Sequence, residues 1–551
     1  MGERRTRARW WAAGAAISAL VAAAAAPSAI GRAERDRPPT VTAACGAAPA
    51  GARVIQPSDT PRVLVAEAGE TLFFCRGVHR VSVEAKANAR LLGDEGAVLS
   101  GADVLKGWTV HRPGTRRAPA VWKHTLAKIS DELHGECADG AAGCTFPQDL
   151  FAEPTAASGT AAAKPLRLVQ AASLPASLAE RTWWIDRATL TIYLALSADP
   201  NTITVELGAR NYGVANVDEH SVNVTVRGAD PAGCLAGRTS GCLRIERYAV
   251  PAQRGALQTY EPGRGDPPGA ITPPGWIVDG VLAQLNHGVG VKVGGGSTVR
   301  NSRMVNNGQL GLSVYSDWEG DPAARAVVER NVISWNNYAG YSSGWEAGGA
   351  KFARTKDLVV RANIAAGNAG KGLWTDIDNR GTVYEANTVT DNADEGILHE
   401  ISHSALIRNN VVLRNGFARF RTEGWFWGAG ISIQSSDAAD VNGYTRVSGN
   451  TVNGNANGIV GIGQDSRGVL RNLWVDRNTV TGAALVGVAV DNPDAPSAAK
   501  RCIFFTGNTY KRVGEFRFEH EPATANPTTD PAVARPPANL AAANCPPRPR
   551  G

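Results

Sequence analysis

The chain has 551 residues, of which 43% are hydrophobic, 20% are charged and 61 are glycines. That length exceeds one ordinary compact domain, and the apolar fraction is too high for a disordered chain. Glycine is abundant without a Gly-X-Y period, which excludes collagen. The formal net charge is +6, but the first 29 residues carry four arginines and one acidic residue, so the rest is nearly neutral. Nothing in this charge indicates nucleic acid or an anionic membrane as a partner.

The N-terminus predicts an export signal. A basic start precedes an apolar run from Trp10 to Ala26, and Pro27-Ser28-Ala29 has the small residues of a cleavage site. Residues 1–29 are therefore predicted to be a signal peptide, with a retained membrane anchor as the alternative. No later segment approaches the roughly 18 consecutive apolar residues that a membrane span requires. We expect a secreted protein, extracellular or periplasmic, without stable membrane insertion.

The eight cysteines fit an oxidising compartment, where an even number predicts four disulfides. A zinc site is the rival interpretation, but no Cys-x-x-Cys pair or clustered His accompanies them. Proximity in the sequence favours the pairs Cys45–Cys75, Cys137–Cys144, Cys234–Cys242 and Cys502–Cys545.

Short β-rich phrases that end in Asn recur between about residues 275 and 510, and their asparagines lie 23 to 40 residues apart. A unit of short strands with Asn and Gly at its corners cannot bury its own apolar face, so copies stack into a parallel β-helix. Asn suits such corners because it tolerates left-handed backbone geometry and can bond to the same Asn one turn along. A leucine-rich repeat is the structural rival, but the Leu-x-x-Leu-x-Leu pattern is absent. The recurring asparagines are Asn301, Asn331, Asn363, Asn387, Asn410, Asn450, Asn478 and Asn508.

Two stretches carry a family resemblance: residues 71–108 (TLFFCRGVHRVSVEAKANARLLGDEGAVLSGADVLKGW) and 345–416, which include NRGTVYEANTVTDNADEGI. They resemble the opening and central coils of secreted right-handed parallel β-helix proteins of the pectin-lyase-like superfamily. The resemblance implies the fold, but for activity only a carbohydrate-active group: glycoside hydrolases, polysaccharide lyases, uronan C5-epimerases and members without known activity. The polygalacturonase signatures are missing, and Leu398-His399-Glu400 is the nearest match to the Asp-Pro-His of the epimerases.

The predicted fold is all-β: a right-handed parallel β-helix with a small β-rich insertion near the N-terminus. Within the insertion, residues 181–186 and 189–196 read as a hairpin. The expected organisation after the signal peptide is N-terminal coils at 45–108, the insertion at 109–205, the main β-helix at 206–515 and a Pro/Ala-rich tail at 516–551.

Seven strands of the main β-helix begin at a glycine and can be aligned on it. The next residue is always apolar and is expected to face inward, so alternate positions face outward. The outward positions are largely polar and form the candidate site. The aligned glycines are Gly311, Gly349, Gly372, Gly396, Gly430, Gly458 and Gly487.

Two outward carboxylates, Asp376 and Glu400, are expected to stack on successive coils with backbones roughly 4.8 Å apart. Such carboxylates repel, so the pKa of one should rise, which is how an acid and a base arise from similar groups. Asp378 lies diagonal to Glu400, and Trp374 offers an apolar platform for a sugar ring. The plain alternative is a solvated carboxylate cluster that binds a cation or is relieved by Arg380 or Lys371.

Further candidates surround this pair. Glu346 could reach across the site as a third carboxylate, and Lys351 faces outward as a base or as a partner for a substrate carboxylate. His399 faces inward by alternation, where a core histidine is the simpler interpretation, and reaches the site only through a local bulge. Aromatic residues in the neighbouring loops are expected to wall a carbohydrate subsite. With the outward polar positions they give the substrate-binding candidates Trp374, Lys351, Trp345, Tyr315, Trp425, Trp427 and Gln434.

The leading functional hypothesis is hydrolysis of a glycosidic bond in a polysaccharide by carboxylate acid/base chemistry, without a cofactor. One alternative is a Ca²⁺-dependent lyase or C5-epimerase on a uronic-acid polymer, with Lys351, His399 or Arg354 as base or neutraliser. Another is a glycan-binding surface protein without catalysis. All three predict a polysaccharide partner and no nucleic acid, and we expect a monomer.

Overall fold

The computed structural model describes residues 45–129, 135–141, 143–153, 166–171, 178–218, 220–259, 274–316, 325–437, 443–463, 468–490, 501–518 and 524–549. The predicted signal peptide at 1–29 lies outside the described residues. No helix in these ranges is long and apolar enough to cross a membrane.

The fold is a parallel β-helix whose coils each contribute a strand to three faces in a fixed order. Face 1 is a sheet of 13 parallel strands. It consists of Arg53–Ile55, Thr71–Phe74, Arg90–Gly93, Thr225–Arg227, Ile277–Asp279, Thr298–Arg300, Val327–Glu329, Val359–Arg361, Thr382–Glu385, Ala405–Arg408, Thr445–Ser448, Leu473–Asp476 and Ile503–Thr506.

Faces 2 and 3 belong to one continuous sheet, because the long strands Ser58–Ala66 and Gly77–Ala85 bend across both of them. Face 2 consists of Ala97–Ser100, Leu243–Glu246, Val281–Gln284, Arg303–Val305, Val332–Ser334, Ile364–Ala366, Thr388–Thr390, Val411–Leu413, Thr451–Asn453, Thr479–Thr481 and Thr509–Lys511.

Face 3 carries the glycine-initiated strands and ends with a short antiparallel strand at its C-terminal edge. Its strands are Val214–Asn216, Gly255–Gln258, Val289–Val293, Leu310–Tyr315, Gly348–Ala353, Lys371–Thr375, Ile397–Glu400, Ala429–Gln434, Asn457–Gly463, Leu485–Val490, Glu515–Phe518 and the antiparallel Thr524–Ala525.

The β-rich insertion leaves the solenoid between face 2 and face 3 of an early coil and forms two small sheets, in agreement with the predicted fold. Its hairpin pairs Thr182–Asp186 with Thr191–Ala195, close to the predicted limits. One sheet contains Ala102–Val104, Leu150–Ala152, Leu166–Arg167 and Val205–Gly208, and the other contains Thr109–Arg112, Val121–Thr125, Val169–Gln170, Thr182–Asp186 and Thr191–Ala195.

Helical segments are short and lie in the connections. The α-helices are α1 (Pro231–Leu235), α2 (Ser343–Glu346) and α3 (Phe417–Glu423), and the 3-10 turns are Thr239–Gly241, Ala532–Ala534 and Ala541–Ala543. Helices α2 and α3 both sit between face 2 and face 3, which places them beside the glycine-initiated strands.

The interior of the solenoid is a continuous apolar core, because each inward position is filled on every coil. The residue after each aligned glycine is buried, as alternation predicts: Leu312, Ala350, Leu373, Ile397, Ile431, Ile459 and Val488. The predicted alignment of the last strand is wrong by two residues, since Gly487 pairs with Val460 rather than with Gly458. Val488 still faces inward because the strand period is two residues.

Buried asparagines run along the solenoid at the corner between faces 1 and 2. The Nδ2 of each donates to Oδ1 of the next at 2.9 to 3.0 Å. This Asn ladder comprises Asn331, Asn363, Asn387, Asn410, Asn450, Asn478 and Asn508. It ends at Asp530, whose carboxylate accepts hydrogen bonds from both the backbone N and the Nδ2 of Asn508.

Two details of the predicted corners are wrong. Asn301 is not in the ladder, because Ser302 occupies that position and its backbone N donates to Asn331 Oδ1 at 3.0 Å. The ladder asparagines also do not adopt the left-handed conformation. The preceding residue does, as at Arg330 (φ +52°) and Ala362 (φ +53°). The sharp bend at that residue turns the asparagine side chain inward, where it bonds along the axis.

All four disulfides predicted from proximity are present: Cys45–Cys75, Cys137–Cys144, Cys234–Cys242 and Cys502–Cys545. The last of these ties the tail to the solenoid, where Leu540 and Ala543 pack on an aromatic cluster outside face 1. The final face-3 strand continues to Phe518 and Asp530 completes the Asn ladder, so the tail from residue 516 extends the solenoid.

Candidate functional site

The candidate site is the outer surface of face 3 where the strands Gly348–Ala353, Lys371–Thr375, Ile397–Glu400 and Ala429–Gln434 lie side by side. The connections 335–347 and 414–428, which contain α2 and α3, enter these strands from the corner with face 2. Loops inserted at one corner of a solenoid gather beside the same strands. The site is therefore bounded by the two helices.

The register agrees with the predicted outward positions. One row runs through Ser313, Lys351, Trp374, Leu398 and Ser432. Thr375 pairs with His399, which places Asp376 and Glu400 one residue further along their strands at corresponding positions. Gln434 continues this second row beside Glu400. The two carboxylates therefore lie on neighbouring coils.

The outward row is far less exposed than a solvent face would be. Asp376 is 7% exposed, Glu400 is 5% exposed and Trp374 is 2% exposed. Trp374 is consequently not an open platform for a sugar ring. The ammonium groups of Lys351 and Lys371 lie 4.2 and 4.6 Å from its ring centroid, a cation–π arrangement.

Lys351 connects α2 of its own coil with Asp376 on the next coil. Its Nζ lies 3.0 Å from Glu346 Oε1 and 2.9 Å from Asp376 Oδ2. Burial opposes the charged form of the amine, but the charges of Glu346 and Asp376 outweigh it and raise the pKa of Lys351. Lys351 is therefore a cation at neutral pH, unsuited to be a general base. Glu346 pairs with it instead of reaching toward Glu400 as an independent acid.

Glu400 has a different set of neighbours. Trp374 Nε1 donates to Glu400 Oε2 at 3.1 Å. On the next coil, Gln434 donates from Nε2 to Ser432 Oγ at 3.0 Å and is buried. Asp376 thus has an ammonium partner, whereas Glu400 accepts a bond from an uncharged indole.

His399 does not reach the site. It is completely buried, with Nδ1 2.8 Å from Thr375 Oγ1 and Nε2 2.6 Å from the carbonyl oxygen of His403. Burial lowers the pKa of His399 to about 4, against the opposing effect of the His403 carbonyl. No bulge turns its side chain outward, so it is a neutral core residue that joins adjacent coils.

Asp378 lies at the corner after the strand, with φ +55°. Its Oδ1 is 2.7 Å from His403 Nε2 and 3.4 Å from Arg380 Nη2. Tyr315 ends its strand opposite Ala353, half-buried. Both residues are at the margin of the site.

The aromatic residues of the loops divide into two groups. Trp345 packs with Tyr338, Tyr341 and the Cys137–Cys144 disulfide of the insertion. Trp425 is 43% exposed and stands edge-on to Phe426, whereas Trp427 is half-buried under the Arg419 guanidinium. Trp425 is the aromatic candidate that presents open surface.

Three buried charged residues of the site were not predicted as candidates from the sequence: Lys371, Asp394 and Glu395. Lys371 Nζ lies 2.6 Å from the Ser343 carbonyl oxygen on α2 and 3.7 Å from Asp394 Oδ2. Glu395 Oε1 accepts from the backbone N of Gly428 at 3.0 Å, which fastens the α3 connection. The sequence contains a signal for two of these residues: Lys371 and Glu395 each stand immediately before the glycine of a face-3 strand.

No group of three or more His, Cys, Asp or Glu side chains in the described ranges has the arrangement of a metal site. Asp378, which the calcium-dependent alternative would use together with Asp376 and Glu400, has its Oδ1 2.7 Å from His403 Nε2.

Comparisons with known proteins agree on the fold. The family model described as "Right handed beta helix region" matches residues 275–445. No curated protein matches the chain significantly. The structure of XylC in complex with xylose is 14% identical over 83% of this chain and 82% of that chain, with a TM-score of 0.53.

Two further solved structures are more distant. The A-module of the mannuronan C-5 epimerase AlgE6 from Azotobacter vinelandii is 14% identical over 82% of this chain and 88% of that chain, with a TM-score of 0.37. The catalytic unit of the GH87 α-1,3-glucanase from Streptomyces thermodiastaticus is 11% identical over 76% and 95%, with a TM-score of 0.33. Such distant likeness carries no residue roles. Together with the family model and XylC, the strand order identifies this chain as a right-handed parallel β-helix protein with the pectin-lyase-like fold.

Proposed function

We propose that this protein hydrolyses a glycosidic bond of a polysaccharide, with Asp376 and Glu400 as its two reacting carboxyl groups. The observation that supports the proposal is their placement at corresponding outward positions on neighbouring coils. Glycoside hydrolysis requires two carboxyl groups that differ in protonation while they flank one bond.

The contacts suggest which carboxyl group takes which role. Lys351 Nζ lies against Asp376 Oδ2, which suits the carboxylate that attacks the anomeric carbon or activates a water molecule. We assign the general acid to Glu400, whose contacts include a hydrogen bond from the Trp374 indole to its Oε2.

The spacing of the coils favours retention of configuration. Backbones of neighbouring parallel strands are about 4.8 Å apart. Carboxyl groups of retaining enzymes are about 5–5.5 Å apart, whereas those of inverting enzymes are about 6.5–9.5 Å apart. Inversion would require Asp378 or Glu346 as the second partner of Glu400. Asp378 lies at the margin of the site, where its Oδ1 is 2.7 Å from His403 Nε2.

The lyase or epimerase alternative has less support, because it needs a base to remove the C5 proton. Lys351 is held in its charged form and His399 is buried away from the site. The four disulfides suit an oxidising compartment. We therefore place the proposed activity outside the cytoplasm.

The test is a panel of neutral and uronic-acid polysaccharides, incubated with the purified protein with and without calcium. New reducing ends and ultraviolet absorbance of unsaturated products are followed together. Hydrolysis predicts reducing ends without that absorbance and without dependence on calcium. Calcium-dependent absorbance would replace the proposal by a lyase, and binding without any product would replace it by a glycan-binding protein.

A further inference from the structure

Three carboxylate oxygens at the candidate site are buried without a hydrogen-bond donor among the described residues. They are Oδ1 of Asp376, Oδ2 of Asp394 and Oε2 of Glu395. The other oxygens of Asp376 and Glu395 are engaged by Lys351 and by the Gly428 N–H, and Asp394 Oδ2 lies 3.7 Å from Lys371 Nζ. A buried charged acceptor without a donor is costly. These oxygens therefore concentrate negative charge that no hydrogen bond within the described part of the chain offsets.

The cluster around these oxygens contains more carboxylates than ammonium groups. Its ammonium groups, on Lys351 and Lys371, are already paired with carboxylates. At the margin of the site, Arg380 pairs with Asp378 and Arg419 pairs with Glu423. The carboxylates of the cluster are Glu346, Asp376, Asp394 and Glu395.

A polysaccharide that binds beside this cluster must therefore not add negative charge. Sugar hydroxyl groups are uncharged, whereas a uronate would bring a further carboxylate against a partly desolvated acidic cluster. Like charges at such separations repel strongly when water is excluded.

We propose that the site binds a neutral glycan and that it discriminates against uronic-acid polymers. The proposal takes the location of the site from the proposed hydrolase and adds the class of its substrate. Trp425 on the α3 connection offers the exposed aromatic surface against which a neutral sugar ring can pack.

The test compares polymers that share a backbone and differ only in carboxylation. Suitable pairs are polygalacturonate with its carboxyl-reduced galactan, and glucuronoxylan with unsubstituted xylan. Retardation of the whole protein in native gels that contain each polymer gives an apparent dissociation constant. We expect at least one neutral member to bind, and its carboxylated partner to have an apparent dissociation constant at least tenfold higher at low salt. Raising the ionic strength should lower this ratio of the two dissociation constants, because salt screens charge repulsion.

A site variant and a matched control test whether the carboxylate cluster causes the ratio of the two dissociation constants. Glu395→Gln removes one negative charge with little change of shape and should narrow the ratio at least threefold. Glu385→Gln makes the same change on face 1, where Glu385 pairs with Arg408, and should leave the ratio unaltered. Equal or tighter binding of the carboxylated members would overturn the proposal, as would failure of every polymer to bind.

The two proposals can fail separately. Binding of a neutral polymer without cleavage would refute hydrolysis and leave the substrate class standing. Cleavage of a carboxylated polymer with no preference for its neutral partner would leave hydrolysis standing and refute the substrate class.

Discussion

Lys351 Nζ lies 2.9 Å from Oδ2 of Asp376, one coil further along the solenoid, and both side chains are buried. This ion pair joins two strands that the backbone already pairs in register. Glu400 holds the corresponding position on the next coil, where its Oε2 accepts a hydrogen bond from the Trp374 indole. Two carboxyl groups on neighbouring coils are the basis of the proposed chemistry.

Removing either carboxyl group should abolish turnover. Asp376→Asn and Glu400→Gln keep the size and the acceptor oxygen but remove the acid or base, so kcat should fall by about 10²–10⁴-fold. The release of reducing ends measures this, and circular dichroism checks folding. Glu385→Gln on face 1 is the matched control and should retain full activity. Full activity in both site variants would remove these residues from the mechanism.

Lys351 should act by positioning Asp376. Lys351→Met leaves half-buried Glu346 and buried Asp376 without the ammonium group between them, so we expect kcat to fall on the order of 10-fold or more. Lys351→Arg keeps a cation at this position and should recover part of the lost kcat. Lys356→Met changes an exposed lysine on the same coil and should leave kcat unchanged. Equal losses in Lys351→Met and Lys351→Arg would mean that the charge of Lys351 is not the cause.

The Asn ladder should make a large contribution to stability. Asn387 accepts bonds from Asn363 N and Nδ2, and its own Nδ2 donates to Asn410 Oδ1 and to the Val360 carbonyl oxygen. Asn387→Ala leaves these buried groups unpaired, so the free energy of unfolding should fall by about 2–4 kcal/mol. Urea unfolding of the purified variant measures the loss.

The control for the ladder is Asn301, which the sequence pattern counts as a member and the structure does not. Asn301 bonds to Asp279 and Arg330 outside the ladder, and its φ of +48° is accessible to glycine. Asn301→Gly should therefore cost about 1 kcal/mol, less than Asn387→Ala. Equal losses at Asn301 and Asn387 would mean that the ladder bonds are not the cause.

Glu246 should make stability depend on pH in the acidic range. Burial alone would raise its pKa, but the charges of Arg244 and Arg247 outweigh burial and lower the pKa to about 2. The folded-state pKa is lower than the usual 4.5, so the stabilisation is complete above pH 4.5 and is lost as pH falls toward 2. Glu246→Gln should lower the free energy of unfolding on the order of 3 kcal/mol at pH 7.

The difference between wild type and Glu246→Gln should shrink when unfolding is repeated at successively lower pH down to 3. Glu95→Gln, at an exposed pair with Arg76, should change little at any pH. A deficit of Glu246→Gln that stays constant with pH would contradict an electrostatic origin.

The sequence was sufficient for the fold and for the rows of the candidate site, because period-two alternation and a recurring glycine determine which side chains share a face. It placed Lys351, Trp374 and Leu398 in one row, as the strand pairing confirms. Even the misaligned strand at Gly487 kept its inward residues inward.

The alternation pattern could not predict how exposed the outward side chains of face 3 are. An outward position on a strand is open only if no loop folds over it, and that depends on contacts between distant segments. The insertion holds the α2 connection, since Ser342 N donates to the Glu136 carbonyl oxygen at 2.8 Å. Trp374 is therefore enclosed. The pairing of Lys351 with Glu346 depends on the same connection, which has no repeat to reveal its shape.

The Asn ladder has a direction. One Nδ2–H of each asparagine points toward the next coil and the other points toward a carbonyl oxygen of the preceding coil, so the donor end of the series is at Asn508. Asp530 meets this end with both carboxylate oxygens, which accept from the backbone N and the Nδ2 of Asn508. The last amide of the series is therefore fully hydrogen-bonded, although no further asparagine follows it.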